Sequence, residues 1–375
     1  MKTKYLIFLC AAICFLGACL MGPNYKSPEL DLSKNYSTDN FSIFTNAKWW
    51  EVFEDPVLNK LEEEALEHNK DLQAAMAAVD AARAQAGVAA ADRMPSISAA
   101  GETGRAGTRY DSEQTLSTAN LSASFELDLW GKYRRLSEAA RANLLSSQAS
   151  KDTVRLTLTA DVAGNYIALI TLDEQLAITR RTLETRQENY RIYNSRFING
   201  SITEVDLRRV EADMAGVEAQ EAELEKQLAK TETALAVLLG RSPREIVENN
   251  IERGRILEAL ILVPEVPEGI PSDLLARRPD VRQAEGMLIA ANARIGVARA
   301  AFFPSIPLTG SAGFSSNPLN ELFRSSSGVW AIGAVLPRLF SRAAGLFGVK
   351  EKQRQTISKC LPHMKRQFRA RLKKL

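Results

Sequence analysis

Cys19 is the residue best placed for covalent chemistry. It follows a short basic start, Met1 to Lys4, an apolar run from Tyr5 to Phe15, and the stretch Leu16-Gly17-Ala18. The apolar run is too short for a stable membrane span. Small side chains before a cysteine suit a peptidase cleft, and the thiol is then free to accept an acyl group. Cys10 and Cys14 leave with residues 1–18, and an acylated Cys19 leaves Cys360 without a partner, so no intramolecular disulfide forms. Little else in the chain has catalytic spacing. His68 and His363 lie far apart and outside any Cys/His cluster, which suggests no metal site. Paired His and carboxylate groups, a phosphate loop and a nucleophile elbow are all missing, and Gly286 and Gly296 make no nucleotide fingerprint. These features point away from an enzyme, with no cofactor beyond a covalent lipid on Cys19.

The elements behind these residues are organised by an internal repeat. Asp71–Ile97 matches Asp280–Ile306 without a gap at an offset of 209 residues. The two stretches share 12 of 27 positions, including Gly87-Val88-Ala89 with Gly296-Val297-Ala298 and Pro95-Ser96-Ile97 with Pro304-Ser305-Ile306. A repeat of this length implies two copies of one structural unit, here a helix that ends at a proline. In the first copy Val57–Asp92 reads as one helix, opened by Asp55 as cap and Pro56 in the first turn. Trp49 and Trp50, just before it, are expected to pack the base of a helix bundle.

Period-two alternation follows each copy. Leu121, Ala123, Phe125, Leu127 and Leu129 fall on one face of a strand over 120–129; Ser122, Ser124, Glu126 and Asp128 fall on the other. About ten residues is the length of a tilted transmembrane β-strand. Residues 96–104 are a partner strand, joined to it by a loop over Arg105–Ala119. Ile306, Leu308, Gly310, Ala312 and Phe314 repeat the alternation, and Val329–Leu336 is a fourth candidate.

A long helix is predicted over Lys132–Phe197. Val162, Leu169, Leu176, Leu183, Tyr190 and Phe197 recur at intervals of seven, the seam of a left-handed coiled coil. Ile198–Thr203 breaks it, and a second helix over Glu204–Leu239 returns, closed by Gly240 and Pro243. The result is a helical hairpin over 132–239 with its tip at Gly200. Aromatics are only 7% of the chain, which suits alanine-rich helices better than a large compact core.

The order of these segments carries a resemblance. Leu16-Gly17-Ala18-Cys19 resembles a bacterial lipobox, and Leu20 in place of Asp implies sorting to the outer membrane. One acyl chain holds a protein marginally; several hold it stably. With WWEVFEDPVL, the strand pair, the tip FINGSITEVDL, ALAVLLGRSP, IPSDLLARRPDVRQAE and AAFFPSIPLTGSAGF, the chain resembles the TolC-like outer-membrane efflux factors, in the NodT/OprM-type lipoprotein subgroup of RND efflux systems. That resemblance, over residues 16–349, implies a mainly α fold with transmembrane β. Long coiled-coil hairpins would accompany four strands per protomer, given to one trimeric twelve-stranded β-barrel. It implies passive export of drugs or other small molecules, with a periplasmic adaptor (a membrane fusion protein) and an inner-membrane RND-type pump as partners. The positions matching the adaptor-contacting tip are Gly200, Ser201, Ile202, Thr203, Val205 and Asp206. Ser122, Ser124, Glu126 and Asp128 would face the barrel lumen.

The expected organisation is a signal peptide over 1–18, a leader over 19–56, a first repeat over 57–240, a linker over 241–271, an incomplete second repeat over 272–349 and a basic tail over 350–375. The tail holds ten Lys/Arg against Glu351 within a chain of net charge +3. The 209-residue offset places a second hairpin tip near position 409, beyond Leu375, so the chain is expected to be a truncated or frameshifted efflux factor. Two other readings stay open: a lipid-anchored periplasmic coiled coil without a channel, and a non-functional truncated factor. Nucleic-acid binding through the tail fits poorly, because an exported chain does not meet nucleic acid.

Overall fold

The structure, a computed structural model, describes residues 20–27, 48–108, 111–248, 251–254 and 278–334. The signal peptide, Cys19, most of the linker and the basic tail lie outside the described residues. The chain divides into two compact units that cut across the repeat order. One comprises Met1–Asp31, Ala78–Ser150 and Ala276–Leu375; the other comprises Leu32–Ala77 and Lys151–Leu275.

The elements, in chain order, are helices α1 (Pro56–His68) and α2 (Lys70–Ala91), strands β1 (Ser96–Thr108) and β2 (Asp111–Glu126), helices α3 (Lys132–Ile198), α4 (Glu204–Leu238), α5 (Pro243–Glu248) and α6 (Pro279–Ala300), then strands β3 (Pro307–Ser316) and β4 (Gly328–Ala334). The repeat offset is kept to the residue: α2 and α6 both have 22 residues, and their ends differ by 209. Two expectations need correction. The single helix over Val57–Asp92 is broken at Asn69, whose side chain accepts from the Leu72 amide and donates to the Leu238 carbonyl. One buried amide thereby caps the start of α2 and the end of α4 together. The loop over Arg105–Ala119 is mostly strand. β1 and β2 pair from Ser96↔Ser124 to Thr108↔Asp111, so the connection is residues 109–110.

The second unit is built on a buried polar knot. Trp50 sits in a 3-10 turn over Trp49–Phe53 and is buried in a cluster with Leu58, Val162, Tyr166, Leu169, Leu235 and Leu239. Asp55 is fully buried, and its carboxylate accepts from the amides of Val57 and Leu58 and, at 2.7 Å, from the Tyr166 hydroxyl. Tyr166 accepts in turn from the Gly254 amide at 3.0 Å. Burial, then the bond to Asp55, raises the Tyr166 phenol above its ordinary range. The coiled-coil seam of α3 is buried only in part. Val162, Leu169 and Leu176 are buried, Leu183 and Tyr190 half-buried, and Phe197 exposed. Around residues 158–170 the seam is covered by α1 as well as by α4.

The hairpin tip follows helix-end chemistry. Gly200 has φ 69°, while Gly200 N–H donates to the Phe197 carbonyl and Ser201 N–H to the Arg196 carbonyl. These two bonds close α3 in a Schellman motif that favours glycine at this position. Gly240 ends α4 the same way, and any side chain there would also strike the His68 carbonyl.

In the first unit α6 lies against the opening turns of α3. Ala139 and Ala142 meet Ala290 and Ala293, and the Ser146 hydroxyl donates to the Gln283 carbonyl. Small residues on both helices permit this close approach. The sheet is antiparallel throughout, in the order β1-β2-β3-β4.

Glu62 on α1 is fully buried, and neither carboxylate oxygen has a hydrogen-bond partner among the described residues. Burial pushes its carboxyl from 4.5 up to about 8. Between those values the unfolded chain releases a proton that the folded chain keeps, so Glu62 lowers stability progressively as the pH rises through that window. Glu62→Gln is expected to flatten the pH dependence between about 4.5 and 8. Urea unfolding midpoints measured across that range check this; an unchanged slope in the variant counts against it.

Candidate functional site

The functional geometry of the first unit is in the two faces of the sheet. On one face the register aligns Ile97 with Ala123, Ala123 with Gly310, and Gly310 with Ile332. Next to that row it aligns Ala99, Leu121, Ala312 and Trp330, then Phe125 with Leu308. On the other face Ser96, Ser124 and Thr309 form one row, and Ser98, Ser122 and Ser311 another. The hydroxyls of Ser98 and Ser122 are 2.7 Å apart and those of Ser96 and Ser124 3.3 Å apart.

The apolar face is exposed. Ile332 is 83% exposed, Trp330 77%, Ile97 69% and Leu121 54%. A water-soluble sheet hides this face in its core; here the large apolar side chains point outward across all four strands. β1 and β4 are the edges of the sheet, each with an unpaired row of backbone donors and acceptors among the described residues. No helix among the described residues is long and apolar enough to cross a membrane.

Of the four predicted lumen residues, Ser122 and Ser124 lie on the hydroxyl face. Glu126 is the last residue of β2, and Asp128 lies past the strand end. The start of α3 draws both carboxylates to itself. Asp128 accepts from the amides of Tyr133 and Arg134, capping the helix, while Glu126 accepts from the Tyr133 hydroxyl at 2.7 Å and from Lys132 at 3.2 Å. The expected strand continuation through Leu127 and Leu129 gives way to this junction.

The tip residues lie in the second unit. Thr203 and Asp206 form a reciprocal capping box at the start of α4. The Asp206 amide donates to the Thr203 hydroxyl oxygen, and the Thr203 amide and hydroxyl donate to the Asp206 carboxylate. The Thr203 hydroxyl, then its amide, holds Asp206 below its ordinary value. Val205 is 77% exposed and Ile198 74%, so apolar side chains flank the turn in the open. Gly200 and Ser201 are exposed and Ile202 half-buried.

Two residues at the base of the sheet carry weight that sequence reasoning missed. The Trp130 indole donates to the Pro304 carbonyl at 3.0 Å and stacks on Phe303 at 4.5 Å, joining the end of β2 to the second repeat. Arg135 is 2% exposed and donates to the carbonyls of Met21 and Gly22, to the Asn24 side chain and to Glu138. Residues 21–24 are thus clasped against α3 rather than lying loose. Arg135, in a run of basic residues, carries no signal in the sequence.

The outer membrane efflux protein family profile matches residues 61–241 and 270–338. The chain belongs to that family. It is 34% identical over 329 residues to the probable outer membrane lipoprotein SilC of Salmonella typhimurium, covering 85% of this chain and 70% of that protein. It is 33% identical over 338 residues to the cation efflux system protein CusC of Escherichia coli, covering 88% and 72%. The Campylobacter jejuni CmeC outer membrane channel superposes with a TM-score of 0.85 at 26% identity, covering 94% of this chain and 77% of that one. The chain is an outer-membrane channel component of a tripartite efflux system. The repeated helix, the helical hairpin and the sheet agree with the TolC-like fold that the segment order implied.

A charge on the outward face has to enter hydrocarbon, whereas one on the hydroxyl face does not. Ile332→Arg is expected to weaken insertion by about 2–4 kcal/mol, and Ser122→Arg by much less. Folding into lipid vesicles, followed by denaturant titration, measures both; equal losses would contradict the assignment of faces.

Proposed function

We propose that three copies of the chain close their sheets into one twelve-stranded barrel that conducts small molecules passively out through the outer membrane. The observation that supports this is the sheet itself: four strands, apolar side chains outward and two open edges. Lipid leaves no water to satisfy an open edge, so the strands must continue into neighbouring copies. Substrates, drugs or other small molecules, arrive from an inner-membrane RND-type pump through a periplasmic adaptor. Ser96, Ser98, Ser122, Ser124, Thr309 and Ser311 line the lumen with hydroxyls, and Glu102 lies further along the same face. A heat-modifiable trimer with stepwise conductance in planar bilayers is the expected result. A monomer without conductance points instead to a lipid-anchored coiled coil or a non-functional chain.

The tip residues Gly200, Ser201, Ile202, Thr203, Val205 and Asp206 supply the adaptor contact. Support comes from the exposed apolar side chains of Ile198 and Val205 around a turn rigidified by two helix-end motifs. Gly200→Pro removes the Gly200 N–H donor and opposes its positive φ, so adaptor cross-linking should fall while membrane insertion persists. A parallel loss of insertion would indicate a folding role alone.

Cys19 carries the lipid anchor. The clasp on residues 21–24 supports this by holding the chain just beyond Cys19 against α3. Intact mass of the mature protein is expected to show acylated Cys19 at the N-terminus; cleavage elsewhere with a free thiol would refute it.

A further inference from the structure

A cavity of about 270 Å³ opens in the first unit beside the opening turns of α3. Three guanidinium groups line it, those of Arg93, Arg134 and Arg141. The acid in its wall, Glu138, is engaged by Arg135 at 2.7 Å. A second cavity of about 250 Å³ shares Arg93 and Arg134 and adds Glu126 and Asp128. Those two acids are also occupied, Glu126 by Lys132 and Tyr133, and Asp128 by the α3 amides and Arg134. Arg93 and Arg141 have no side-chain hydrogen bond or ion pair among the described residues. Positive charge is therefore left over in a recess whose carboxylates are already satisfied.

Ser137 supplies an independent pointer. It lines the same cavity, is 2% exposed, and its hydroxyl has no hydrogen-bond partner among the described residues. A buried hydroxyl without a partner costs stability, so its retention calls for a group that completes it. Arginines provide planar, charge-assisted donors that match tetrahedral oxyanions, and a serine hydroxyl adds a neutral donor. Leu145, 56% exposed, and Ile289 make the remaining wall apolar.

We propose that this cavity binds a phosphate-type oxyanion, with the phosphodiester of an anionic lipid headgroup as the source that its setting favours. That setting rests on the sheet being the membrane wall. The outward apolar face ends at Phe125, and β2 hands over to α3 within six residues, which places the cavity at the headgroup level. The apolar wall of Leu145 and Ile289 suits the start of an acyl chain and has no use for a free phosphate ion.

The test uses the full chain in uncharged detergent micelles, probed by native mass spectrometry and thermal unfolding. The probes are phosphatidylglycerol and inorganic phosphate. One retained phosphatidylglycerol per chain is expected, weakened at least about tenfold in Arg93→Gln/Arg141→Gln, a loss of one order of magnitude in affinity. Ser137→Ala should match or exceed the parent's melting temperature without lipid, and lose most of the lipid-dependent rise. Competition by phosphate only at high concentration identifies the lipid source; equally tight phosphate identifies the free anion. Arg141→Lys, which keeps the charge, should retain binding and covers the case in which the double variant fails to fold. Undiminished lipid retention in the double variant and in Ser137→Ala would overturn the proposal. So would loss of trimer with lipid retention unchanged, since the arginines would then serve a subunit contact.

Discussion

A β-sheet placed in hydrocarbon must pair every backbone donor and acceptor with another strand, because no water is available to do so. The first unit is shaped by that constraint. Around Ile97–Ala99 and the residues paired with them, its strands carry small residues and hydroxyls on one side and apolar residues on the other, the reverse of a soluble sheet packed on a core. Where β2 ends, the carboxylates of Glu126 and Asp128 are spent on starting α3, so the transition from sheet to helix is itself hydrogen-bonded.

Buried polar groups do in the helical unit what backbone pairing does in the sheet. Asp55 caps α1 and at the same time receives the Tyr166 hydroxyl from α3, and Gly254 completes the chain of donors. The bond between Asp55 and Tyr166 joins residues 111 apart in sequence, so it sets which face of α1 meets α3. Asn69 performs a similar double duty between α2 and α4. Exposed ion pairs along the hairpin, such as Arg180 with Glu221 and Glu225, contribute much less because solvent screens them.

The two repeats show how one sequence pattern acquires two roles. Gly87 and Gly296 occupy the same repeat position. A side chain at Gly87 would meet nothing, whereas one at Gly296 would strike the Met21 carbonyl at 2.6 Å and Arg135 at 2.8 Å. The second repeat's helix receives the N-terminal segment, with Asn292 donating to the Pro23 carbonyl and Tyr25 donating to Glu285. The repeat is thus matched in its helix and asymmetric in what docks on it.

Local chemistry alone determined most of the elements. The proline after Asp55, the alternation of Leu121–Phe125, the Gly-Ser-Ile-Thr turn and the closing Gly240 each act within a few residues, and the corresponding helix starts, strand faces and hairpin ends could be read in advance. The family-specific segments likewise lie in continuous runs. What the sequence left open depends on partners distant along the chain. The break at Asn69 needs the Leu238 carbonyl, and the strand length over 105–119 needs a paired neighbour, because its polar residues carry no alternation. Burial of the α3 seam falls off towards the tip, from Leu176 to the exposed Phe197. The diversion of Asp128 from a strand face to a helix cap, the Arg135 clasp and the recess around Ser137 were decided only by tertiary structure, since each exists only once separate segments converge.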